Sequence, residues 1–455
     1  MLLFARYVIP VSSPHIENGA ILVRGNQIVD LGDANTLRAK YPDEEFKDFG
    51  IAALMPGFVD THTHLEYSAL RGLLYDVPYA AWKMQLTKKA QRFTYRDWLD
   101  SALLGAIEAV RSGITTISDV TSTGASFHAA KEMGLRGIIY REVGTNERAE
   151  IPYVLQSAYR DIDSWRADAD PEMIEIGIAP YSLYTCHPEV FKELADYASD
   201  GTPLAIHLAS SQEEYDFVKM GKPVFSLYED PADRNFEAHQ PSWLATGVSP
   251  VQYILNWKLL DVPNVLAIHC THVDDRDIET LASHDVAISV FPRCNSKLGM
   301  GRAPILRFLQ AGIRVGIGTD SPAASDVTDP IDEMRIALLL QRAASSSGHG
   351  VKEFLRTSQV LRLATLDGAR ALKIDDKVGS LEPGKLADII AIDLSNSHQV
   401  PTHDPSSAIV HTANQENILM TMINGKVVYA GEDLHGVEVQ RVFDRVEEMR
   451  VKLRS

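Results

Sequence analysis

Phe58-Val59-Asp60-Thr61-His62-Thr63-His64 is an apolar approach that ends in two histidines one residue apart. Alternate side chains of a β-strand share a face, so both imidazoles point the same way and offer a metal two neutral nitrogens from one rigid element. A pair at this spacing is, taken alone, more often incidental than ligating. Three later segments repeat its shape: Leu204-Ala205-Ile206-His207, Val265-Leu266-Ala267-Ile268-His269 and Val315-Gly316-Ile317-Gly318-Thr319-Asp320. Each is an apolar run whose end delivers one more group able to bind metal or move protons, and together they read as one site.

Working outward, eight β-type runs lie around 58–64, 114–120, 137–143, 174–180, 203–209, 265–273, 286–292 and 314–320. Between them, stretches such as Trp98 to Val110, Glu189 to Tyr197, Arg276 to Ser283 and Ile305 to Ala311 repeat apolar residues at helical spacing. Strands alternating with helices in this number predict a (β/α)8 TIM-type barrel over 56–377, whose catalytic groups sit at the C-terminal strand ends. His62, His64, His207, His269 and Asp320 all fall there. The long connections Leu65 to Arg96 and Gly221 to Ser249 follow strands one and five on that side and are expected to shape or cover a pocket. Residues 1–55 hold short β runs broken by Gly and Asn turns, and a second β-rich tract spans 378–430. The two are expected to pair as one small β-sandwich domain built from both chain ends, because short sheets need partners. Residues 431–455 read as a charged closing helix.

Composition narrows the class. In 455 residues, 45% hydrophobic and 23% charged, there is room for one large domain and a smaller one. The net charge of -17 argues against nucleic acid and against anionic membranes, both of which draw on clustered Lys and Arg. Cys186, Cys270 and Cys294 are too few and scattered for a disulfide framework, no apolar run would span a bilayer, and the start lacks the marks of a signal peptide. The expectation is a cytoplasmic enzyme with a small-molecule substrate. Assembly with copies of itself is left open.

The chain resembles the amidohydrolase superfamily in the ordered set Pro56-Gly57-Phe58-Val59-Asp60-Thr61-His62-Thr63-His64, His207, His269-Cys270, Gly318-Thr319-Asp320-Ser321 and Gly379-Ser380-Leu381-Glu382-Pro383-Gly384-Lys385-Leu386-Ala387-Asp388. It is most similar to the branch holding cytosine, adenosine-type and S-adenosylhomocysteine deaminases and triazine chlorohydrolases. His64 to Gly72 and Pro292 to Pro304 look closer to aminodeoxyfutalosine deaminase-like members. The resemblance implies one divalent metal held by His62, His64, His207 and Asp320, with His269 beside the metal-bound water. Three imidazoles and a carboxylate suit Zn²⁺, with Fe²⁺ an acceptable substitute. Two-metal relatives use a carboxylated lysine on strand four, and Met173 to Pro180 contains none. Asp320 would take the water's proton and pass it to the leaving group, and His269 would steady the hydroxide or serve as an orienting histidine behind it.

Two departures bear on the chemistry. Relatives carry a proton-donating Glu three residues after the strand-five histidine, where this chain has Ser210, a poor proton donor. Glu213 or Glu214 could stand in, against the plainer reading of both as solvated carboxylates in a helix's first turn. Many relatives also place a histidine where Tyr181 stands. Tyr181, Ser210, Arg141, Arg293 and Arg302 are candidate substrate contacts, and Glu142 and His128 are further polar residues near strand ends; His272 and Cys270 read as structural. Three functions follow: deamination of an aminated nitrogen heterocycle, metal-dependent hydrolysis with another leaving group (amide, ring or halide) encouraged by Ser210, or a non-catalytic binding protein, disfavoured by the intact ligand set.

Overall fold

The computed structural model describes residues 1–224, 245–345, 354–431, 433–434 and 436–454. Its centre is a wall of eight parallel strands in sequence order: β6 (Phe58–Thr63), β7 (Ile114–Thr121), β8 (Arg136–Val143), β9 (Ile174–Pro180), β10 (Leu204–Leu208), β11 (Val265–His269), β12 (Ala287–Val290) and β13 (Val315–Ile317). All eight lie on the runs expected from sequence. Strands of a parallel barrel are covered on both faces, which is why each reads as a nearly unbroken apolar run. Val59, Ile138, Ala205, Leu266 and Ile268 form part of one buried cluster, while Ile117, Ile139, Ile206, Ala267 and Ile317 pack in another with the surrounding helices.

Closure joins β6 to β13. Thr63 bridges Asp320 in parallel, and the Thr63 hydroxyl donates to the Asp320 carbonyl at 3.1 Å. Close approach here requires glycine: a Cβ on Gly318 would sit 2.7 Å from both the N and the O of His62. The two strand ends that carry ligand candidates are therefore pressed together by a missing side chain.

The β unit expected from both chain ends is a single path of paired strands. β1 (Leu2–Val8), β2 (Ile16–Arg24), β3 (Gln27–Asp33), β4 (Phe46–Asp48) and β5 (Ala52–Pro56) come from before the barrel. β14 (Ile389–Asp393), β15 (Ile418–Ile423), β16 (Lys426–Ala430) and β17 (Asp433–Leu434) come from after it. The order is β17-β16-β15-β14-β5-β1-β2-β3, with β4 against β1, and β5 and β14 are the antiparallel join between the two halves. Arg136 at the start of β8 ties this sheet to the barrel, since its Nε and Nη2 reach the two oxygens of Asp388 at 2.8 and 3.3 Å and both side chains are buried. Asp388 ends the Gly379–Asp388 motif, so that motif serves the junction. The closing helix Val439–Arg454 packs against the helix Tyr95–Arg111. Of the two long connections, 65–96 is described and the greater part of 221–249 lies outside the described residues.

Candidate active site

His62, His64 and His207 meet at the C-terminal ends of β6 and β10, with ligating nitrogens all within 4.8 Å of one another. His64 Nδ1 lies 2.8 Å from the Val120 carbonyl and His207 Nδ1 lies 3.0 Å from the Tyr181 carbonyl. A carbonyl only accepts, so each Nδ1 carries the proton and each Nε2 is left as a free lone pair. His62 is fully buried, and neither of its ring nitrogens has a hydrogen-bond partner among the described residues. An orphaned imidazole beside two others whose protons point away fits a cation at their centre. Burial, helped by the neighbouring imidazoles, holds His62 and His207 well below the ordinary histidine value, and burial lowers His64 too. Ligation needs that neutral form. Asp320 Oδ1 is 4.0 Å from His62 Nε2, within reach of the same centre.

His269 stands beside this group, its ring 5.6 Å from that of His207. Ala267 belongs to the outer cluster and Ile268 to the inner one, so regular alternation would turn His269 outward. Left-handed backbone at His269 (φ 79°) and Cys270 (φ 47°) breaks the alternation at the point where the imidazole lines the pocket. Strain of this kind persists only where the surroundings enforce it. Asn295 fixes the ring: its Oδ1 accepts from His269 Nδ1 at 3.0 Å while its Nδ2 donates to Thr271 at 3.2 Å. The sequence marks Asn295 within Pro292–Pro304 but gives no sign of this role. His272 is held by the Met300 carbonyl at 2.8 Å, a structural part as expected.

The roof of the site comes from the connection after β6, as anticipated. Its helix Tyr79–Ala90 presents Tyr79, Trp82, Lys83 and Leu86, one face at i, i+3, i+4 and i+7, to a pocket also lined by His64, Tyr67, Tyr181, His207, His269 and Asp320. Tyr181 stacks obliquely on His207 at 4.8 Å. Glu66, from the same connection, braces the loop after β7 by accepting from Thr121, Ser122 and Thr123 at 2.7–3.0 Å.

Of the five expected substrate contacts, Arg141, Arg293, Arg302 and Ser210 do not line that pocket. Arg141 turns to Asp161 at 2.8 Å, because its end of β8 faces the helix Ile151–Asp168. Arg293 is engaged by Asp332 and Glu333, and Arg302 donates to Gln341 at 2.9 Å, both against the helix Pro330–Ala344. His128 is exposed on the helix Ala125–Met133. Ser210 is only 2% exposed, and its hydroxyl donates to Glu214 at 2.5 Å. The reading of Glu214 as a solvated carboxylate is corrected as well. It is 0% exposed and turns back from the helix Gln212–Met220 to accept from the N–H groups of Ala209 and Ser210 at 3.0 and 2.9 Å. Ala209 takes a left-handed backbone (φ 49°), and the buried carboxyl satisfies the donors which that turn leaves without a strand partner. Burial pushes Glu214 up to about 7.

Residues 53–428 match the amidohydrolase family, and residues 19–43 an imidazolonepropionase-like composite domain of bacteria. A 5-methylthioadenosine/S-adenosylhomocysteine deaminase of Thermoanaerobacter pseudethanolicus is 30% identical over 441 residues, covering 95% of this chain and 94% of that protein. A 5′-deoxyadenosine deaminase of Methanothermobacter thermautotrophicus is 31% identical over 441 residues, with 96% and 95% covered. An adenosine deaminase of Xanthomonas campestris with bound zinc superposes with a TM-score of 0.84 at 25% identity over 100% of this chain and 98% of that one. The family match runs from β5 through the whole barrel to β16, and relatives at this identity align end to end. The chain belongs to the amidohydrolase family.

Proposed function

We propose that this chain is a hydrolytic deaminase of an adenine-type nucleoside, and that His62, His64, His207 and Asp320 hold one zinc ion. The observation that carries the reading is the fully buried, partnerless His62 at the centre of a histidine triad, in a chain aligned along its length with nucleoside deaminases. When bound, the metal supplies a water acidic enough to be hydroxide near neutral pH. The remaining work falls to the protein. Asp320 accepts the water's proton and returns it toward the departing amine, His269 is locked by Asn295 with Nε2 toward the pocket, and the roof helix excludes bulk water. Among the described residues no helix is long and apolar enough to cross a membrane, and Cys186, Cys270 and Cys294 are unpaired and buried. A reducing compartment, the cytoplasm, suits them.

Ser210 favours a second reading with a different leaving group, because the proton donor usual in deaminases is absent from its place. One assay separates the two. Zinc-loaded protein is offered 5-methylthioadenosine, S-adenosylhomocysteine, 5′-deoxyadenosine and adenosine, and ammonia is measured. Release from at least one supports deamination; silence across the set, with metal content at one per chain, sinks it and turns the search to other leaving groups.

A further inference from the structure

The roof helix brings one cation into the pocket. Lys83 lines it, and is the single lysine or arginine among its described lining residues. Its Nζ lies 4.1 Å from the centre of the Tyr181 ring, whose own ring packs on His207, so ammonium, phenol and imidazole form one layered arrangement. Among the described residues the ammonium has no ion-pair partner. Burial works against its charged form, and the Glu142 and Asp320 carboxyls favour it through their fields; burial pushes Glu142 up to about 7, where it is a weak counter-ion, and Asp320 also faces His62 at 4.0 Å in the candidate metal centre. The positive charge is felt by His64 and His207, both of which it lowers. A half-buried ammonium offers three N–H donors that a ring face steadies without neutralising. Placing it beside a cluster built for a cation is unfavourable unless something anionic completes the site.

We propose that Lys83 is the specificity-determining cation of this pocket and recognises an anionic substituent, carboxylate or phosphate, on the substrate. The proposal rests on the deaminase reading for its choice of purine probes. A neutral nucleoside would leave the ammonium only the fields of Glu142 and of an Asp320 shared with the proposed metal, whereas an acid would fill its donors and balance the site.

The test is binding, measured by calorimetry on the zinc-loaded full chain with product-like purines that have no amino group to lose. N9-carboxymethylhypoxanthine is compared with its carboxamide, and inosine 5′-monophosphate with inosine. At least one acid is expected to bind about tenfold more tightly than its neutral partner, and the pair that shows the preference tells carboxylate from phosphate. Lys83→Gln, which keeps length and loses charge, should bring the ratio near one; Lys83→Arg should retain most of it, which a merely structural role would not predict. A ratio near one for both pairs in the native protein, an unchanged ratio in Lys83→Gln, or no binding by either acid overturns the proposal. Ammonia release together with a ratio near one would overturn this inference and keep the deaminase reading; a Lys83-dependent ratio without ammonia from any nucleoside would do the reverse.

Discussion

Asp60 and Thr319 clasp the first and last strands of the barrel: the Asp60 carboxyl takes the Thr319 hydroxyl at 2.5 Å and its N–H at 3.0 Å, and also the His62 N–H at 3.2 Å. The donors belong to His62 itself and to the residue before Asp320, so this one buried carboxyl ties the backbone of the two ligand candidates together. Thr319→Val removes the hydroxyl from a group that cannot find water and should cost about 1–3 kcal/mol in urea unfolding. Metal affinity should fall with it, read by competition with a chelator; unaltered affinity would show that the clasp does not position the ligands.

Metal stoichiometry is the second expectation. Elemental analysis of purified protein should give about one zinc or iron per chain, and His207→Ala should strip most of it by removing one of three imidazoles. Two tightly held ions, or full occupancy in the variant, would contradict the ligand set.

Glu214 makes stability depend on pH. Its carboxyl is raised by burial from 4.5 to about 7, so its stabilising contribution is whole below about 4.5 and is lost as pH climbs through about 7. Stability relative to Glu214→Gln should fall over that window by about 1.4 kcal/mol per unit and then level off. Parallel denaturation curves at every pH would remove the argument.

Ser210→Glu installs the residue type that the resemblance to deaminases implies for this position, and from sequence it is expected to raise ammonia release from an aminated purine. The structure adds a condition, because the new carboxylate would meet buried Glu214. The single variant should lose about 1–3 kcal/mol at pH 8. Ser210→Glu with Glu214→Ser should recover stability and release ammonia at least tenfold faster than native, within the usual reach of general acid help, about a hundredfold to ten-thousandfold. A native rate above both variants would mean that Ser210 belongs to an adapted pocket.

The Arg136–Asp388 pair should be a stability determinant far from the chemistry. Arg136→Ala leaves a buried carboxylate without its partner and should cost about 3–5 kcal/mol. An unfolding midpoint within error of native would show the barrel and sheet to be independent of it.

What could be read in advance followed from periodicity. The barrel strands are buried on both faces and so announce themselves as apolar runs, and the His62/His64 and His207 strand ends needed only a period of two. Lys83 was invisible, because a lysine in a connecting helix looks solvated until the helix is laid across a pocket. Glu214 was misread for the same reason: at a helix's third position it fits a solvated first turn equally well, and only the left-handed turn at Ala209 draws it inward. Arg141, Arg293 and Arg302 sit near strand ends as expected, but acidic partners on outer helices claim the first two and a glutamine the third, and such pairings depend on tertiary neighbours that local pattern does not encode.

The clasp joins positions 259 residues apart in the chain. On the ligand set proposed above, a nascent polypeptide long enough to display both strand-end histidines still lacks the carboxylate and the seam that spaces it, and would offer an ion only a loose, partial grip. High-affinity capture must wait until the thirteenth strand docks beside the sixth, a contact of very long loop closure and hence a late one. Acquisition of the ion thus becomes a clock for ring closure, so that in a refolding experiment the appearance of tight zinc binding would date the last event of assembly and not the first.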